Sequence, residues 1–224
     1  MAALDGEDAR HLTRVLRAEA GQHYEITDGE SAYLAEIVEA RGDRVLFRVL
    51  DPIETPPPPV RIMLCAALIK FDRFEWIIEK ATELGVDRVL PVETARCEKG
   101  LLEASLKRIE RWTRIARESS QQSRRVRAPE ILPAVRFDCS LSTEVDYRYF
   151  LEEATAPALL RILPESRSHA DRIAVLVGPE GGWLDAERQA AAAAHWQPAS
   201  LGALVLRAET AATAAIAVLV NAWL

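Results

Sequence analysis

Two short segments near the end of the chain carry the residues best suited to chemistry, Gly178-Pro179-Glu180-Gly181-Gly182 and Leu206-Arg207-Ala208-Glu209-Thr210-Ala211. Each closes an apolar run and opens a run that favours helix. The first follows Ile173-Ala174-Val175-Leu176-Val177, which reads as a buried strand, and precedes the alanine-rich stretch from Asp185 to His195. Strand, glycine loop and helix in that order make a ligand-binding layout. In open α/β sheets ligands lie beyond the carboxyl ends of strands, where glycine lets backbone approach and helix N-termini offer free N–H groups. The carboxylates then narrow the ligand. A phosphate cradle avoids fixed negative charge, yet Glu180 lies inside the first loop and Glu209 begins the second helix. A neutral or cationic ligand is expected, and the sulfonium of S-adenosylmethionine meets that condition better than a nucleoside triphosphate. A dinucleotide site is disfavoured, because the loop lacks the G-x-G-x-x-G spacing and no acidic ribose partner follows at the usual separation.

The elements that must hold these loops fall into two modules. Residues 22 to 50 alternate in short strands around Tyr24 and Ile26, Tyr33 to Val38, and Val45 to Val49, with Asp28-Gly29 and Arg41-Gly42-Asp43 as turn signals, the former a favoured type I′ pair. Pro56 to Pro59 cannot be helix or central strand and marks a linker between a module at 1–55 and a second at 60–224. Beyond the prolines, strands and helices alternate. Strands are expected at Arg61 to Ile69, Arg88 to Val92, Tyr147 to Leu151, Ile173 to Val177 and Ser200 to Leu206. Helices are expected at Asp72 to Leu84, Ser105 to Ser119, Asp185 to His195 and Glu209 to Trp223. In the first helix Asp72 can pair with Glu75 as a cap, Phe74, Ile77, Ile78, Ala81 and Leu84 recur at helical spacing, and Gly85 suits the position after the end. Alternation of this kind implies an α/β fold with a mainly parallel sheet covered on both faces.

Composition excludes several classes. With 49% hydrophobic and 28% charged residues the chain is globular, and no apolar run approaches a membrane span. Met1 to Arg10 has no signal-peptide core, so a cytoplasmic setting is expected. Cys65, Cys97 and Cys139 and four scattered histidines suggest neither a disulfide framework nor a metal site. The net charge of −6 argues against a general nucleic-acid coat, but Lys107 to Arg127 gathers eight basic residues against Glu110 and Glu118. That stretch reads either as an RNA-facing surface or as a solvated helix face.

Five motifs in order resemble those of the bacterial ribosomal small-subunit methyltransferase E family, in the SPOUT superfamily. His11-Leu12-Thr13-Arg14-Val15-Leu16-Arg17 is similar to its opening motif, with Gly21 and Asp28-Gly29 placed as in a PUA-like β-barrel. Glu79-Lys80-Ala81-Thr82-Glu83-Leu84-Gly85-Val86 resembles its central segment, and Gln122-Ser123-Arg124-Arg125 with Pro129 a third. Gly178 to Gly182 and Leu206-Arg207 with Glu209-Thr210 are similar to its two cofactor loops. Three positions depart from the pattern: Leu204 replaces a basic residue, and Ala95 and Gln121 replace glutamates. The chain also starts late against the family pattern, without an expected first strand.

The resemblance implies a deep trefoil knot around the methyl donor and a homodimer that methylates N3 of a uridine in 16S rRNA of the small ribosomal subunit. It places Leu176, Gly178, Glu180, Gly181, Gly182, Leu201, Gly202, Leu206, Thr210 and Ala211 at the cofactor, and Arg14, Arg17, Arg96 and Arg125 at the RNA. Loss of the N3 proton leaves an anion spread over the flanking carbonyls, so a base and a cationic partner both lower the barrier. Glu209 and Arg207 have those chemistries. For Glu209 the alternative is a first-turn carboxylate that stabilises a helix dipole, and for Glu180 a carboxylate that holds its own loop. Two further functional readings stay open, a methyltransferase acting on another RNA base and a non-catalytic rRNA-binding assembly factor.

Overall fold

The computed structural model describes residues 1–153 and 155–224, which form two compact units, Met1–Pro56 and Pro57–Leu224. The first unit is a four-stranded antiparallel sheet. Its strands are β1 (Ala2–Asp5), β2 (His23–Thr27), β3 (Ala32–Arg41) and β4 (Arg44–Ile53), in the order β1-β4-β3-β2. Between β1 and β2 a turn of helix, α1 (Glu7–Arg10), runs on into a π-turn at His11–Val15. Ala9, Ala35, Ile37, Val45 and Phe47 form its small core. Strand β1 was not readable from sequence: four residues are too few for a periodic signal, and only pairing of Ala2 to Asp5 with Phe47 to Arg44 reveals it. The turn at Asp28-Gly29 also differs from the expected two-residue type. Asp28 Oδ1 accepts the N–H groups of Glu30 and Ser31, both at 2.8 Å, and so builds a four-residue loop.

The second unit is a parallel sheet with helices on both faces. In chain order it comprises β5 (Arg61–Ala67), α2 (Phe71–Glu83), β6 (Arg88–Glu93), α3 (Leu101–Leu106), α4 (Ile109–Gln122), β7 (Glu130–Ile131), β8 (Val135–Arg136) and α5 (Phe137–Ser140). There follow β9 (Tyr147–Leu151), α6 (Leu159–Ile162), β10 (Arg172–Val177), α7 (Asp185–Ala193), β11 (Gln197–Ala199) and α8 (Ala208–Trp223). Seven strands are described, in the order β11-β9-β10-β5-β6-β7 with β8 also on β6, and every pair is parallel. Side chains alternate between two cores, as the pleat requires. Ile173, Val175 and Val177 of β10 join α2, α4 and α8 on one face, while Ala174 and Leu176 join α5 and α7 on the other. No helix among the described residues is long and apolar enough to cross a membrane.

Three expected elements come out differently. The helix expected from Ser105 to Ser119 is two helices broken at Lys107-Arg108. Asp72 does not cap α2, whose N-cap is Lys70 without a side-chain bond. Glu75 instead takes a two-pronged bond from Arg111, Nε at 2.7 Å and Nη2 at 2.8 Å, so part of the basic run on α4 is spent on holding α2. Finally, residues 200–206 are not a strand. Pairing ends at Ala199, Ser200 Oγ accepts the Gly202 N–H at 3.1 Å, and Leu204 and Val205 are 83% and 75% exposed. An apolar run read as a strand is a surface loop.

The end of α2 shows what holds one of the arginines expected at the RNA. Gly85 follows with φ of 98°, a left-handed conformation that suits glycine, and turns the chain toward β6. Arg125, expected at the RNA, donates from Nη1 to the carbonyls of Thr82 at 2.8 Å and Val86 at 2.9 Å. Burial lowers its pKa, and the charge of Asp87 works the other way. Its guanidinium closes the helix end. Arg125→Met should therefore destabilise the second unit by about 1.5–3 kcal/mol, the range for hydrogen bonds from a charged group, measured by urea unfolding. An unchanged midpoint would show that the carbonyls are as well served by water.

Candidate active site

Strands β11, β9 and β10 are neighbours and end side by side at Ala199, Leu151 and Val177. The loops that leave them enclose a cleft of about 570 Å³ that opens to solvent. Its walls are residues 151–153, 177–179, 182–183 and 199–202, with Leu204, Leu206, Ala208 and Ala211. This is the carboxyl edge at which parallel sheets bind ligands. Of the residues expected at the cofactor, Gly178, Gly182, Leu201, Gly202, Leu206 and Ala211 line it. Gly182 and Gly202 have φ of 69° and 136°, which side chains rarely tolerate.

The other expected cofactor residues stand elsewhere. Leu176 is fully buried in the opposite core, because the pleat turns it away and gives its place to Val177. Glu180 forms an ion pair with Arg73 of α2 and holds its loop from outside, and Gly181 offers its carbonyl to Arg96 Nη1. Thr210 is exposed on the first turn of α8. Arg96, expected at the RNA, packs on the glycine loop. A Cβ on Gly181 would lie 3.2 Å from its Cδ, so small size at 181 serves this contact. Gly178 has a similar explanation: a Cβ there would lie 2.8 Å from Cε2 of Trp183.

Charge around the cleft is sharply arranged. Among the described lining residues there is no lysine, arginine or histidine, while Glu152 and Glu153 stand on one wall. Arg188 holds Glu152 by Nε at 2.6 Å and Nη2 at 3.1 Å, so Glu153 is left as the carboxylate at the mouth without an ion pair among the described residues. A polyphosphate would meet no cation here. On the far side α8 begins with Arg207 as N-cap, its side chain exposed between the lining residues Leu206 and Ala208. Glu209 sits in that first turn, its Oε2 shielded from solvent and without a hydrogen-bond partner among the described residues. An unpaired buried carboxylate oxygen is costly and calls for an explanation. No group of three or more potential metal ligands occurs among the described residues.

Sequence reading missed two residues here, Trp183 and Glu187. Glu187 is 7% exposed, and its Oε2 accepts the Leu184 N–H at 2.9 Å while Oε1 accepts the Ala95 N–H at 2.8 Å. The signal available was its position three residues after the N-cap of α7, which accounts for the first bond only. The second crosses 92 residues and ties the turn after β6 to the start of α7. With Arg96 on Gly181, it clamps the glycine loop from the end of β6, two strands away in the sheet.

Comparison with known proteins matches this geometry to a class. The RNA methyltransferase domain family matches residues 56–220, and the RNA methyltransferase PUA domain family matches residues 4–50. The protein is thus an RNA methyltransferase, with a PUA-like unit followed in sequence by a SPOUT-type α/β domain. Ribosomal RNA small subunit methyltransferase E of Synechocystis is 33% identical over 92% of this chain and 68% of its own length. The protein of that name from Mycobacterium tuberculosis is 34% identical over all of this chain and 88% of its own. The chain belongs to the ribosomal RNA small subunit methyltransferase E family. Among solved structures, the Neisseria gonorrhoeae enzyme bound to S-adenosylmethionine superposes with a TM-score of 0.88 at 30% identity, covering 99% of this chain and 92% of that one. A Legionella pneumophila methyltransferase in complex with the same cofactor gives the same score and identity, covering 99% and 91%.

If Glu187 is the clamp described, Glu187→Gln places an amide NH₂ against one of two N–H donors. It should cost about 1–3 kcal/mol of stability and speed hydrogen exchange at the Ala95 and Leu184 amides. Exchange at both sites as slow as in the unaltered chain would remove Glu187 from this role.

Proposed function

We propose that this protein transfers a methyl group from S-adenosylmethionine to N3 of a uridine in 16S rRNA of the small ribosomal subunit. The observation that carries the reading is the cleft itself: glycine-rich, acidic, without a basic side chain among its described lining, and adjoining a helix start that bears Arg207 and Glu209. The likeness to two structures solved with that cofactor supports it. Backbone at Gly178, Gly182 and Gly202 can approach the adenine and ribose, and Val177, Leu201, Leu206 and Ala211 offer apolar cover. Glu153 suits a cationic ligand.

When bound, S-adenosylmethionine supplies an electrophilic methyl group on a sulfonium. The chain's own task is then to hold the uracil in line and manage one proton. Glu209 is read as the base that takes the N3 proton, or orients the ring for its loss, and Arg207 as the cation facing a uracil carbonyl or a phosphate. Alignment of this kind is worth up to roughly 7–11 kcal/mol in well-oriented systems. Arg14 and Arg17, both exposed and the latter at φ of 52°, are read as RNA contacts of the first unit. Exposed Leu204 and Val205 beside the cleft are apolar surface that a second copy in a homodimer would cover. The trefoil knot and a cytoplasmic setting belong to the same reading.

Two experiments test it. Small subunits lacking the modification, incubated with the purified protein and donor, should gain one methyl group that mass mapping places on N3 of a 16S uridine. Glu209→Gln should slow that transfer by about 10²–10⁴-fold, the range for a general base, with donor affinity unchanged. Methyl on another base, or an equal rate at every pH, would overturn substrate and base respectively. Arg14→Ala with Arg17→Ala should weaken RNA binding and lower the slope of log affinity against log salt by roughly 1 per lost phosphate contact. An unaltered slope would free both residues of that role.

A further inference from the structure

We infer that Trp183 is a positioning residue for the methyl donor, its indole fixing the separation between the glycine loop and the end of β9. The inference rests on the proposed function, since it concerns how the same cleft holds its ligand. Leu151, Gly178 and Trp183 all line the cleft, and one side chain touches both walls. Trp183 is 2% exposed, and its Nε1–H donates to the carbonyl of Leu151, the last residue of β9, at 2.8 Å. Phe150 stacks against it at 4.5 Å with a 31° tilt, and Phe137 lies 5.6 Å away. The indole therefore cannot turn without leaving its carbonyl and both rings.

Gly178 is the other half of the device. A Cβ at that position would stand 2.8 Å from Cε2 and 3.0 Å from Nε1 of Trp183, closer than real contacts allow. Backbone at 178 can sit where it does only because it has no side chain, and the ring marks how near it comes. A second tie repeats the first. The carbonyl of Trp183 accepts Arg188 Nη1 at 2.9 Å, and the same guanidinium grips Glu152, the residue after Leu151. Residues 151 and 152 are thus joined twice to the segment from 183 to 188, and a single wall cannot move alone. Any buried indole N–H seeks an acceptor; what sets Trp183 apart is that its acceptor ends β9 while its ring abuts Gly178, so one side chain meets two loops of the cleft.

Isothermal titration of the full chain with S-adenosylmethionine tests this. Trp183→Phe loses the N–H and leaves a smaller ring, and should weaken donor binding about tenfold as the wall it fixed becomes free to move. KM for the donor should rise in step, while KM for RNA and kcat at saturation stay within about threefold, a split that general destabilisation does not give. Gly178→Ala should weaken binding at least as much. Combined with Trp183→Leu, which removes Cε2, Nε1 and Cζ2, it should bind no worse than Trp183→Leu alone. Wild-type affinity in Trp183→Phe, or losses that multiply in the double variant, would overturn the inference; the double variant decides if Trp183→Phe does not fold. Failure of the unaltered chain to bind the donor would overturn the proposed function as well.

Discussion

Parallel pairing of β11, β9 and β10 is the constraint from which the site follows. In a parallel sheet each chain must leave its strand at the same edge, so three loops emerge side by side after Ala199, Leu151 and Val177. Helices already cover both faces, α2, α4 and α8 on one and α5 and α7 on the other. Space for a ligand is therefore left at the edge. Three backbones compete for it, and the glycines at 178, 182 and 202 are where that competition is resolved: 178 by close approach to an indole, 182 and 202 by left-handed turns.

Electrostatics then selects what can enter. Each charged group that steadies the loops is answered within the chain, Glu180 by Arg73, Glu152 by Arg188, and the Gly181 carbonyl by Arg96. None of these cations is among the described residues that line the cleft. In the sequence Glu180 is one of the carboxylates that disfavour phosphate, but the structure pairs it with Arg73 and sets Glu152 and Glu153 on the wall instead. The inferred ligand charge is unchanged, while the residue responsible for it is different. Such a substitution is natural, because sequence reports charges near a loop and not the direction in which each side chain points.

How much was legible follows the same division. The longer elements β5, α2, β6, α4, β9, β10, α7 and α8 were readable through local periodicity, and the glycine loops with them, whereas β7, β8, β11, α5 and α6, of two to four residues each, are too short to show it. The run 200–206 misled because only Leu201 reaches the core, while Leu204 and Leu206 line the cleft and Leu204 and Val205 are exposed, and apolar content alone cannot tell these apart. Arg125 looked like an RNA ligand because its acceptors, Thr82 and Val86, lie 43 and 39 residues upstream. Trp183 and Glu187 escaped for the same reason: each acts on a carbonyl or N–H brought near only by the sheet.

A contrast between the two sides of the cleft remains. On the side of β9 and β10 the polar groups apart from the Glu153 carboxylate are paired inside the chain, through Trp183, Arg188, Glu187 and Arg96. At the start of α8 the reverse holds. Arg207 has no side-chain partner among the described residues, and Glu209 keeps a shielded oxygen without one. Preformed walls lower the ordering cost of binding a small ligand, whereas unpaired groups are held at a cost in stability. The side of the cleft held by ties within the chain thus faces a helix start whose charged groups are left open, the arrangement on which the proposed division between donor and RNA base rests.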